Sequence, residues 1–289
     1  MKIAIIGANG QLGSDLCHEL GSEDIVALDH SDIEITDISS VKQAIGRHRP
    51  DVVINTAAFH RVDDCETNQD KAFQVNALGA RNVTVVAQGL GAKLVYLSTD
   101  YVFGNEAEKR TSPYIEFDIP VPLSIYGKSK LAGEGFVQHL CSKHFIIRAS
   151  GLFGVAGASG KGGNFVETML KLAKERDELR VVNDQVFSPT YTKDLATKIA
   201  QLITTELYGT FHITNSGACS WFEFTREILN QAGLRTPVVP ITSDQYPQKA
   251  KRPHYSVLDN YHLRLLGMDD MRPWQEALRH YMAEKGHLK

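Results

Sequence analysis

Tyr126 and Lys130 lie four positions apart in the stretch YGKSK, at the start of a segment with helical character. Side chains at positions i and i+4 of a helix share one face, so the phenol and the ammonium would point the same way. A neighbouring positive charge favours the ionised form of a phenol and lowers its pKa. The pair could supply a tuned proton donor, although an isolated tyrosine and lysine at this spacing more often meet by chance on a surface.

Thr99 ends the run KLVYLST, which has the composition of a buried strand and precedes the predicted helix that carries Tyr126. The carboxyl ends of parallel strands lie at the edge of the sheet where ligands bind. A hydroxyl at that edge could hydrogen-bond a substrate carbonyl at the place where Tyr126 could protonate it. The alternative role for Thr99 is that of a strand-end cap.

The first predicted strand ends in the glycine-rich stretch GANGQLG, and a predicted helix follows. Such glycines allow a tight turn and a close approach of the backbone to a pyrophosphate, and the helix N-terminus offers free N–H groups. Asp29 ends the next predicted strand, where a carboxylate commonly binds the adenosine ribose. The predicted cofactor-binding residues of this region are Gly7, Asn9, Gly10, Gln11, Leu12, Gly13 and Asp29.

Two further pairs of residues are assigned to the same dinucleotide. Asp37 and Ile38, which follow the stretch IEIT, are predicted to flank an adenine ring by a hydrogen bond and an apolar contact. Ala57 and Ala58 belong to NTAA at the end of the third predicted strand, where small residues leave room for a ligand.

Short apolar runs alternate with longer segments of helical period along much of the chain. Runs that are apolar on both faces are typical of buried parallel strands, and their alternation with helices predicts βαβ units. The sequence therefore predicts an α/β fold, with a Rossmann-like doubly wound parallel sheet and right-handed crossovers. The predicted strands are KIAIIG, DIVALD, DVVINTAA, KLVYLST, FIIRAS, LRVVND and GTFHIT.

The alternation weakens after about residue 150, where glycine-rich and proline-bearing stretches begin. We predict a dinucleotide-binding domain over 1–150, to which 180–215 returns, and a smaller C-terminal substrate lobe formed by 151–179 and 216–289. The glycine-rich stretch 154–163 contains Lys161 and is predicted to be a mobile lid that contacts an anionic ligand. An idle surface loop is the alternative.

Composition excludes several function classes. The chain has 289 residues, 43% of them hydrophobic, and a formal net charge of -3. The scattered basic residues give no electrostatic footprint for nucleic acid, and no apolar run approaches the roughly 18 residues that span a bilayer. The four cysteines lie far apart without metal-binding spacing, which favours reduced thiols. We expect a cytoplasmic protein with no nucleic-acid or membrane partner.

Three motifs, GANGQLG, STDYVFG and SIYGKSKLAGE, together resemble the extended short-chain dehydrogenase/reductase superfamily and, within it, the RmlD-like dTDP-4-dehydrorhamnose reductases. The likeness continues through GNFVETMLKLAKER, VVNDQVFSPTYTKDLA and KRPHYSVLDN, so it covers nearly the whole chain. The resemblance implies an oxidoreductase that uses NADH or NADPH to reduce the 4-keto group of dTDP-4-dehydro-L-rhamnose, a step towards cell-surface polysaccharide. The C-terminal lobe would then bind the nucleotide-sugar.

By the same resemblance, Thr99, Tyr126 and Lys130 form the catalytic set. Hydride addition builds negative charge on the ketone oxygen, so the site needs a proton donor and hydrogen bonds aimed at that oxygen. Tyr126 would donate the proton and Thr99 would orient the carbonyl. Lys130 would lower the pKa of the phenol and bind the nicotinamide ribose beside Tyr126. The residues predicted to contact the nucleotide-sugar are Asp100, Tyr101, Asn164 and Arg252.

The sequence departs from the family pattern near the expected sugar pocket. Where the family usually carries a tryptophan after the fifth predicted strand, this chain has RASGLFG with Gly151 at that position, which predicts the loss of an aromatic wall. The stretch AAFHRVD replaces AAHTAVD. Some members bridge subunits through a metal that is held in part by an acidic residue after the C-terminal tryptophan, but Gln275 follows Trp274 here, so we predict no metal.

Two rival functions stay open. The first is a reductase or epimerase that acts on another nucleotide-sugar, which the glycine at position 151 keeps in play. The second is a non-catalytic NADP-binding regulatory subunit on the same fold, against which the intact catalytic set argues. Asp29 would repel a 2′-phosphate, so we expect NADH to work and NADPH to be tolerated. A homodimer is the protein partner that we consider.

Overall fold

A parallel sheet of six strands forms the centre of the described part of the chain. The structure, a computed structural model, describes residues 1–105, 110–157, 163–246 and 248–288. Numbered along the chain, the strands are β1 (Lys2–Ile6), β2 (Asp24–Leu28), β3 (Val52–Asn55), β4 (Lys93–Thr99), β5 (His144–Ala149), β6 (Leu152–Phe153), β7 (Leu179–Val182), β8 (Val186–Phe187), β9 (Thr190–Tyr191), β10 (Gly209–His212), β11 (Cys219–Ser220) and β12 (Val238–Ile241).

The strand order in this sheet is β10-β5-β4-β3-β1-β2, and each neighbouring pair is parallel. Because β2 and β3 lie on opposite sides of β1, the order in which successive strands are added to the sheet reverses at β1. Ligands of open α/β sheets bind at such a switch point, outside the carboxyl ends of the strands. This architecture confirms the predicted α/β doubly wound fold.

Helices cover both faces of the sheet. A π-helical turn at Gln74–Gly79 joins α4 to α5, and 3-10 turns lie at Asp100–Val102 and Ser243–Gln245. The α-helices are α1 (Gln11–Glu19), α2 (Ile38–Gly46), α3 (Val62–Thr67), α4 (Gln69–Phe73), α5 (Ala80–Leu90), α6 (Ile125–Leu140), α7 (Phe165–Glu175), α8 (Thr192–Ile203), α9 (Trp221–Gln231), α10 (Tyr261–Leu265) and α11 (Trp274–Glu284).

The strand β1 shows why the central strands are apolar throughout. Ile3 and Ile5 pack in a core cluster that includes residues of α1 and α8. Ala4 and Ile6 point to the opposite face and pack in a second cluster with residues of α2, α5 and α6. Since successive side chains of a strand alternate between faces, a strand covered on both sides must be apolar at every position.

A third core cluster holds the C-terminal part together, away from the central sheet. Apolar residues of α7, α9 and α11 form it, together with Leu179 and Val181 of β7 and Phe187 of β8. Three two-stranded sheets accompany these helices, namely β7 with β12, β8 with β11, and β6 with β9.

The run LRVVND lies outside the central sheet, contrary to the prediction from its apolar pattern. Its strand β7 pairs in parallel with β12 of the C-terminal part. After β7, the elements that belong with the central sheet are α8, whose residues share a core cluster with α1, and β10, which pairs with β5. The two buried settings have similar composition, so the sequence pattern does not distinguish them. The division into two lobes itself stays a prediction.

Candidate functional site

A cleft of about 780 Å³ lies at the carboxyl edge of the central sheet. The ends of β1 to β5, the first turns of α1 and α6, and side chains from the C-terminal part line it. Of the residues predicted for the site, those in the lining are Gly7, Asn9, Gly10, Gln11, Leu12, Asp29, Ala57, Ala58, Thr99, Asp100, Tyr101, Tyr126 and Lys130. Gly13, Asp37, Ile38, Asn164 and Arg252 are not among the described lining residues.

The glycine loop has a shape that only glycine allows. Gly7 has a φ of +80°, and a Cβ on Gly13 would lie 2.1 Å from the carbonyl oxygen of Gly7. Gly13 therefore has a packing role that brings α1 against the loop. Gly10 is the N-cap of α1 and offers no side-chain cap, so the first-turn N–H groups lack that partner at the point where the helix meets the cleft. This arrangement fits a pyrophosphate, which such helix termini bind through N–H groups and the helix dipole.

Asp29 lines the cleft and follows β2, which lies three strands away from β4 and Thr99 in the sheet order. Its carboxylate accepts hydrogen bonds from the hydroxyl and the backbone N–H of Ser31, both at 2.7 Å. These bonds hold the pKa of the carboxyl below its usual value, so Asp29 is ionised near neutral pH. An ionised carboxylate at this position can accept hydrogen bonds from ribose hydroxyls, and it fits the adenosine half of a dinucleotide.

Asp37 and Ile38 are not among the described lining residues of the cleft, and their predicted contacts with an adenine ring stay predictions. Asp37 is the N-cap of α2 and accepts a hydrogen bond of 2.8 Å from the N–H of Ser39. The apolar residues that line this end are Ile33 and Ile35. Their alternation with polar residues in the stretch SDIEIT, directly after Asp29, was the sequence signal that could have identified them.

Thr99, Tyr126 and Lys130 converge on one wall of the cleft. Thr99 ends β4, and its side chain is hydrogen-bonded to the Tyr126 phenol. Ser124 caps α6 by accepting a hydrogen bond of 3.1 Å from the N–H of Gly127, which fixes Tyr126 in the first turn. A Cβ on Gly127 would lie 2.1 Å from the carbonyl oxygen of Tyr101. This glycine therefore allows α6 to approach the end of β4.

The pKa shifts of Tyr126 and Lys130 differ from the prediction that a charged Lys130 lowers the pKa of the Tyr126 phenol. Burial raises the pKa of the Tyr126 phenol, and the hydrogen bond with Thr99 opposes this shift. Burial also lowers the pKa of Lys130 to about 7, against the charge of Glu134. The Lys130 amine donates a hydrogen bond of 2.5 Å to the carbonyl of Leu97 and lies 4.1 Å from the centre of the Tyr96 ring. Desolvation thus dominates over the attraction that the sequence spacing suggested.

Asp100 is a buried carboxylate that three hydroxyl groups surround. Thr99 donates to it at 3.1 Å, Ser150 at 2.8 Å and Ser256 at 2.6 Å. Burial raises the pKa of this carboxyl to about 6, although the three hydrogen bonds favour the ionised form. Asp100 therefore joins the ends of β4 and β5 to a segment of the C-terminal part and fixes the direction of the Thr99 hydroxyl. Its predicted contact with a nucleotide-sugar stays a prediction.

Aromatic side chains do line the cleft near Gly151, although no aromatic residue stands at that position. Gly151 has a φ of +53°, and a Cβ there would lie 2.3 Å from the ring of Phe187. Phe187 in turn stacks on Trp221, with 3.9 Å between ring centres, and both residues line the cleft. The predicted loss of an aromatic wall is therefore wrong, since residues distant in sequence supply one.

We expect Gly151→Ala to destabilise the protein by about 1–3 kcal/mol, because a side chain there meets both a left-handed backbone and the Phe187 ring. Gly135→Ala is the matched control, since Gly135 lies within α6 and its added Cβ would meet nothing within 4 Å. Alanine should stabilise that helical position by roughly 0.5–1 kcal/mol. Urea unfolding of both variants measures the difference, and equal stability would contradict the close fit at Gly151.

Asn164 and Arg252 make intramolecular contacts. Asn164 caps α7, and its amide group donates hydrogen bonds to the carbonyl of Gly154 at 3.0 Å and to the phenol of Tyr281 at 3.1 Å. Arg252 forms an ion pair with Asp63, with 2.9 Å between nitrogen and oxygen. Their predicted contacts with a nucleotide-sugar stay predictions. Lys161 and half of the predicted lid, residues 158–162, lie outside the described residues.

The structure adds three observations on the remaining predictions. Within the described ranges, no group of three or more His, Cys, Asp and Glu side chains is placed to hold a metal ion. The four cysteines form no disulfide with one another. No helix among the described residues is both long and apolar enough to cross a membrane.

Comparison with known proteins identifies the family. The model described as RmlD substrate binding domain matches residues 1–286. The chain belongs to the RmlD family. RmlD relatives include the spore coat polysaccharide biosynthesis protein SpsK of Bacillus subtilis, which is 43% identical over 98% of each chain. The dTDP-4-dehydrorhamnose reductase of Aggregatibacter actinomycetemcomitans is 37% identical, again over 98% of each chain.

A solved RmlD structure is similar to this chain over its whole length. It is the dTDP-4-dehydrorhamnose reductase of Bacillus anthracis in complex with NADP, with a TM-score of 0.92 and 46% identity. The match covers 98% of this chain and 99% of the other. The family membership that the sequence motifs predicted is thereby confirmed.

Proposed function

We propose that this protein is an NAD(P)H-dependent reductase that converts dTDP-4-dehydro-L-rhamnose to dTDP-L-rhamnose. The observation that carries the proposal is the convergence of Thr99, Tyr126 and Lys130 on the cleft that the glycine loop also lines. The names of the RmlD relatives, two of them dTDP-4-dehydrorhamnose reductases, support the choice of substrate.

The cofactor site would form along the first half of the cleft. The N-terminus of α1 would hold the pyrophosphate, and Asp29 would accept hydrogen bonds from the adenosine ribose. Ile33 and Ile35 offer apolar contacts for the adenine ring, and Asp37 and Ile38 follow them in the chain. When bound, NAD(P)H supplies the hydride for reduction of the sugar ketone.

Tyr126 acts as the general acid in this proposal. The alkoxide that develops on the sugar is more basic than a phenolate, so a phenol whose pKa is raised by burial still transfers its proton favourably. Thr99 would donate to the carbonyl oxygen, for which its hydroxyl has to turn away from Asp100, to which it donates in this structure. Lys130 lies one helical turn after Tyr126 and is placed to bind the nicotinamide ribose. Phe187 and Trp221 provide the apolar wall for the sugar.

A reductase or epimerase of another nucleotide-sugar is the second candidate. The observation that favours it is the composition of the pocket wall, in which Phe187 and Trp221 stack where Gly151 has no side chain. The relative SpsK, named only for spore coat polysaccharide biosynthesis, leaves the identity of the sugar open. A regulatory subunit without turnover has less support, because the complete catalytic set lines the cleft.

The test is oxidation of NADPH or NADH by the purified protein with freshly prepared dTDP-4-dehydro-L-rhamnose. Other 4-keto nucleotide-sugars and 4-epimerase substrates serve as the comparison panel. Turnover with the dTDP-linked ketone above the rest of the panel supports the proposal. A higher kcat/KM for another nucleotide-sugar would instead favour the second candidate, and no turnover with any of them would favour the regulatory subunit.

We expect the parent protein to use NADH, and we expect Asp29→Ser to raise the ratio of kcat/KM for NADPH over NADH by about tenfold. The substitution removes a negative charge that would repel a 2′-phosphate. Asp24→Asn is the control, because Asp24 carries the same charge at the other end of β2. A parent preference for NADPH above about tenfold would show that Asp29 is turned away from the ribose. The homodimer and the cytoplasmic location stay predictions from the sequence.

A further inference from the structure

An ion pair at one rim of the cleft links α3, which follows β3, to the segment 248–260. Asp63 in the first turn of α3 accepts two hydrogen bonds from the Arg252 guanidinium, at 2.9 Å and 3.3 Å. It also accepts a hydrogen bond of 3.0 Å from the N–H of Ala250. The guanidinium donates a further bond of 3.3 Å to the Ala250 carbonyl. One carboxylate thus fixes both the backbone and the arginine of this segment.

The contacts continue from Arg252 to the catalytic tyrosine. The Arg252 guanidinium lies close enough to the Tyr101 phenol to oppose, through its charge and its N–H groups, the rise in the pKa of the phenol that burial causes. The Tyr101 ring meets the Tyr126 ring edge to face, with 6.1 Å between centres and 77° between planes. Tyr101 and Tyr126 both line the cleft, whereas Asp63 and Arg252 are not among its described lining residues. Two residues, Arg252 and Tyr101, therefore lie between Asp63 and the proposed proton donor.

Asp63 and Arg252 are both held in their charged forms, which favours the ion pair between them. Burial alone would raise the pKa of the Asp63 carboxyl, but the hydrogen bonds from Arg252 and from the Ala250 backbone hold it below its usual value. Burial likewise lowers the pKa of the guanidinium, but Asp63 and Tyr101 together more than offset this effect and raise it. The Arg252 side chain is only 16% exposed, so loss of its anionic partner would leave a largely buried charge.

We propose that Asp63 is a positioning residue for the reduction, which acts through Arg252 to fix Tyr101 against Tyr126. The inference rests on the proposed function, since it assigns Asp63 a part in that same reaction. Asp63 touches none of the reacting groups. Without it, Arg252 and Tyr101 would sample other conformations, and the wall beside the proton donor would lose its fixed shape.

The test uses the full chain with the substitution Asp63→Asn, which keeps the size of the side chain and removes its charge. Asp64→Asn is the matched control, because Asp64 is the next residue of α3 and faces Arg61 at the surface, at 3.7 Å. We expect D63N to lower kcat with the dTDP-linked ketone by about tenfold, as misplacement of a site costs one to two orders of magnitude. The Kd of NADPH should stay within about twofold of the parent value.

A second variant separates positioning from stability. Tyr101→Phe removes the hydroxyl that meets Arg252, so D63N in a Y101F background should cause little further loss of kcat, because the two changes interrupt one chain of contacts. D64N should match the parent in kcat, in KM and in midpoint of thermal unfolding. Additive losses for D63N and Y101F, or an unchanged kcat in D63N, would overturn the proposal. So would parallel losses of unfolding midpoint, NADPH affinity and kcat in D63N.

Failure of the proposed function gives a different result from failure of this inference. If the parent protein turns over no nucleotide-sugar, the proposed function fails, and positioning is then tested by amide hydrogen exchange. Faster exchange of residues 101–103 in D63N than in D64N supports the positioning role. Equal exchange in the two variants overturns it.

Discussion

Tyr126→Phe is expected to lower the rate of hydride transfer by about 10² or more while NADPH binds with nearly the parent Kd. The change removes one oxygen atom, which is hydrogen-bonded to Thr99 in a partly buried position. The phenyl ring keeps its edge-to-face contact with Tyr101, so the wall of the cleft stays in place. The loss should therefore appear in kcat, because only the transition state needs the proton.

Tyr246→Phe is the control for this prediction, since it removes the same hydroxyl from a side chain that is 52% exposed. Single-turnover reduction and NADPH titration are measured for both variants and the parent. If Tyr126→Phe retains more than about a tenth of the parent rate, another group donates the proton and the assignment of Tyr126 is wrong.

Lys130→Met is expected to abolish most turnover and, at the same time, to stabilise the protein without cofactor. Lys130 is only 2% exposed, and burial lowers its pKa from 10.5 to about 7. The unfolded chain therefore binds one more proton than the folded chain between these two values, so this group makes folding less favourable as the pH falls towards 7. Methionine fills a similar volume without the charge.

Because the contribution of Lys130 to the free energy of unfolding depends on pH, the prediction is tested at two pH values. The excess stability of Lys130→Met over the parent should be larger at about pH 6 than at about pH 9, by roughly 2–3 kcal/mol. Urea unfolding at both pH values measures it, and Lys128→Met on the exposed face of α6 is the control. A pH-independent difference would mean that Lys130 keeps its ordinary pKa in the folded protein.

The six strands of the central sheet and the spacing of Tyr126 and Lys130 were accessible from sequence because local pattern determines them. Strands covered on both faces must be apolar throughout, and the glycine loop must avoid side chains that would collide with its own backbone. The four-residue spacing of Tyr126 and Lys130 places both on one face of a helix wherever α6 packs. These features depend on few contacts with distant parts of the chain.

The predictions that were wrong depend on tertiary contacts. The spacing of Tyr126 and Lys130 says nothing about burial, so the direction of their pKa shifts needed the structure. The aromatic wall comes from Phe187 and Trp221, which are 34 positions apart and meet only when β8 pairs with the strand before α9.

Transfer of deuterium to the sugar from NADH or NADPH that carries deuterium at both C4 positions of the nicotinamide tests the central claim most directly. The account predicts that the parent protein places the label at C4 of dTDP-L-rhamnose, as read by mass spectrometry and NMR of the product. It also predicts that Tyr126→Phe forms the same labelled product about 10² times more slowly. Unlabelled sugar product, or a label at another carbon, would contradict hydride transfer to C4 in this cleft.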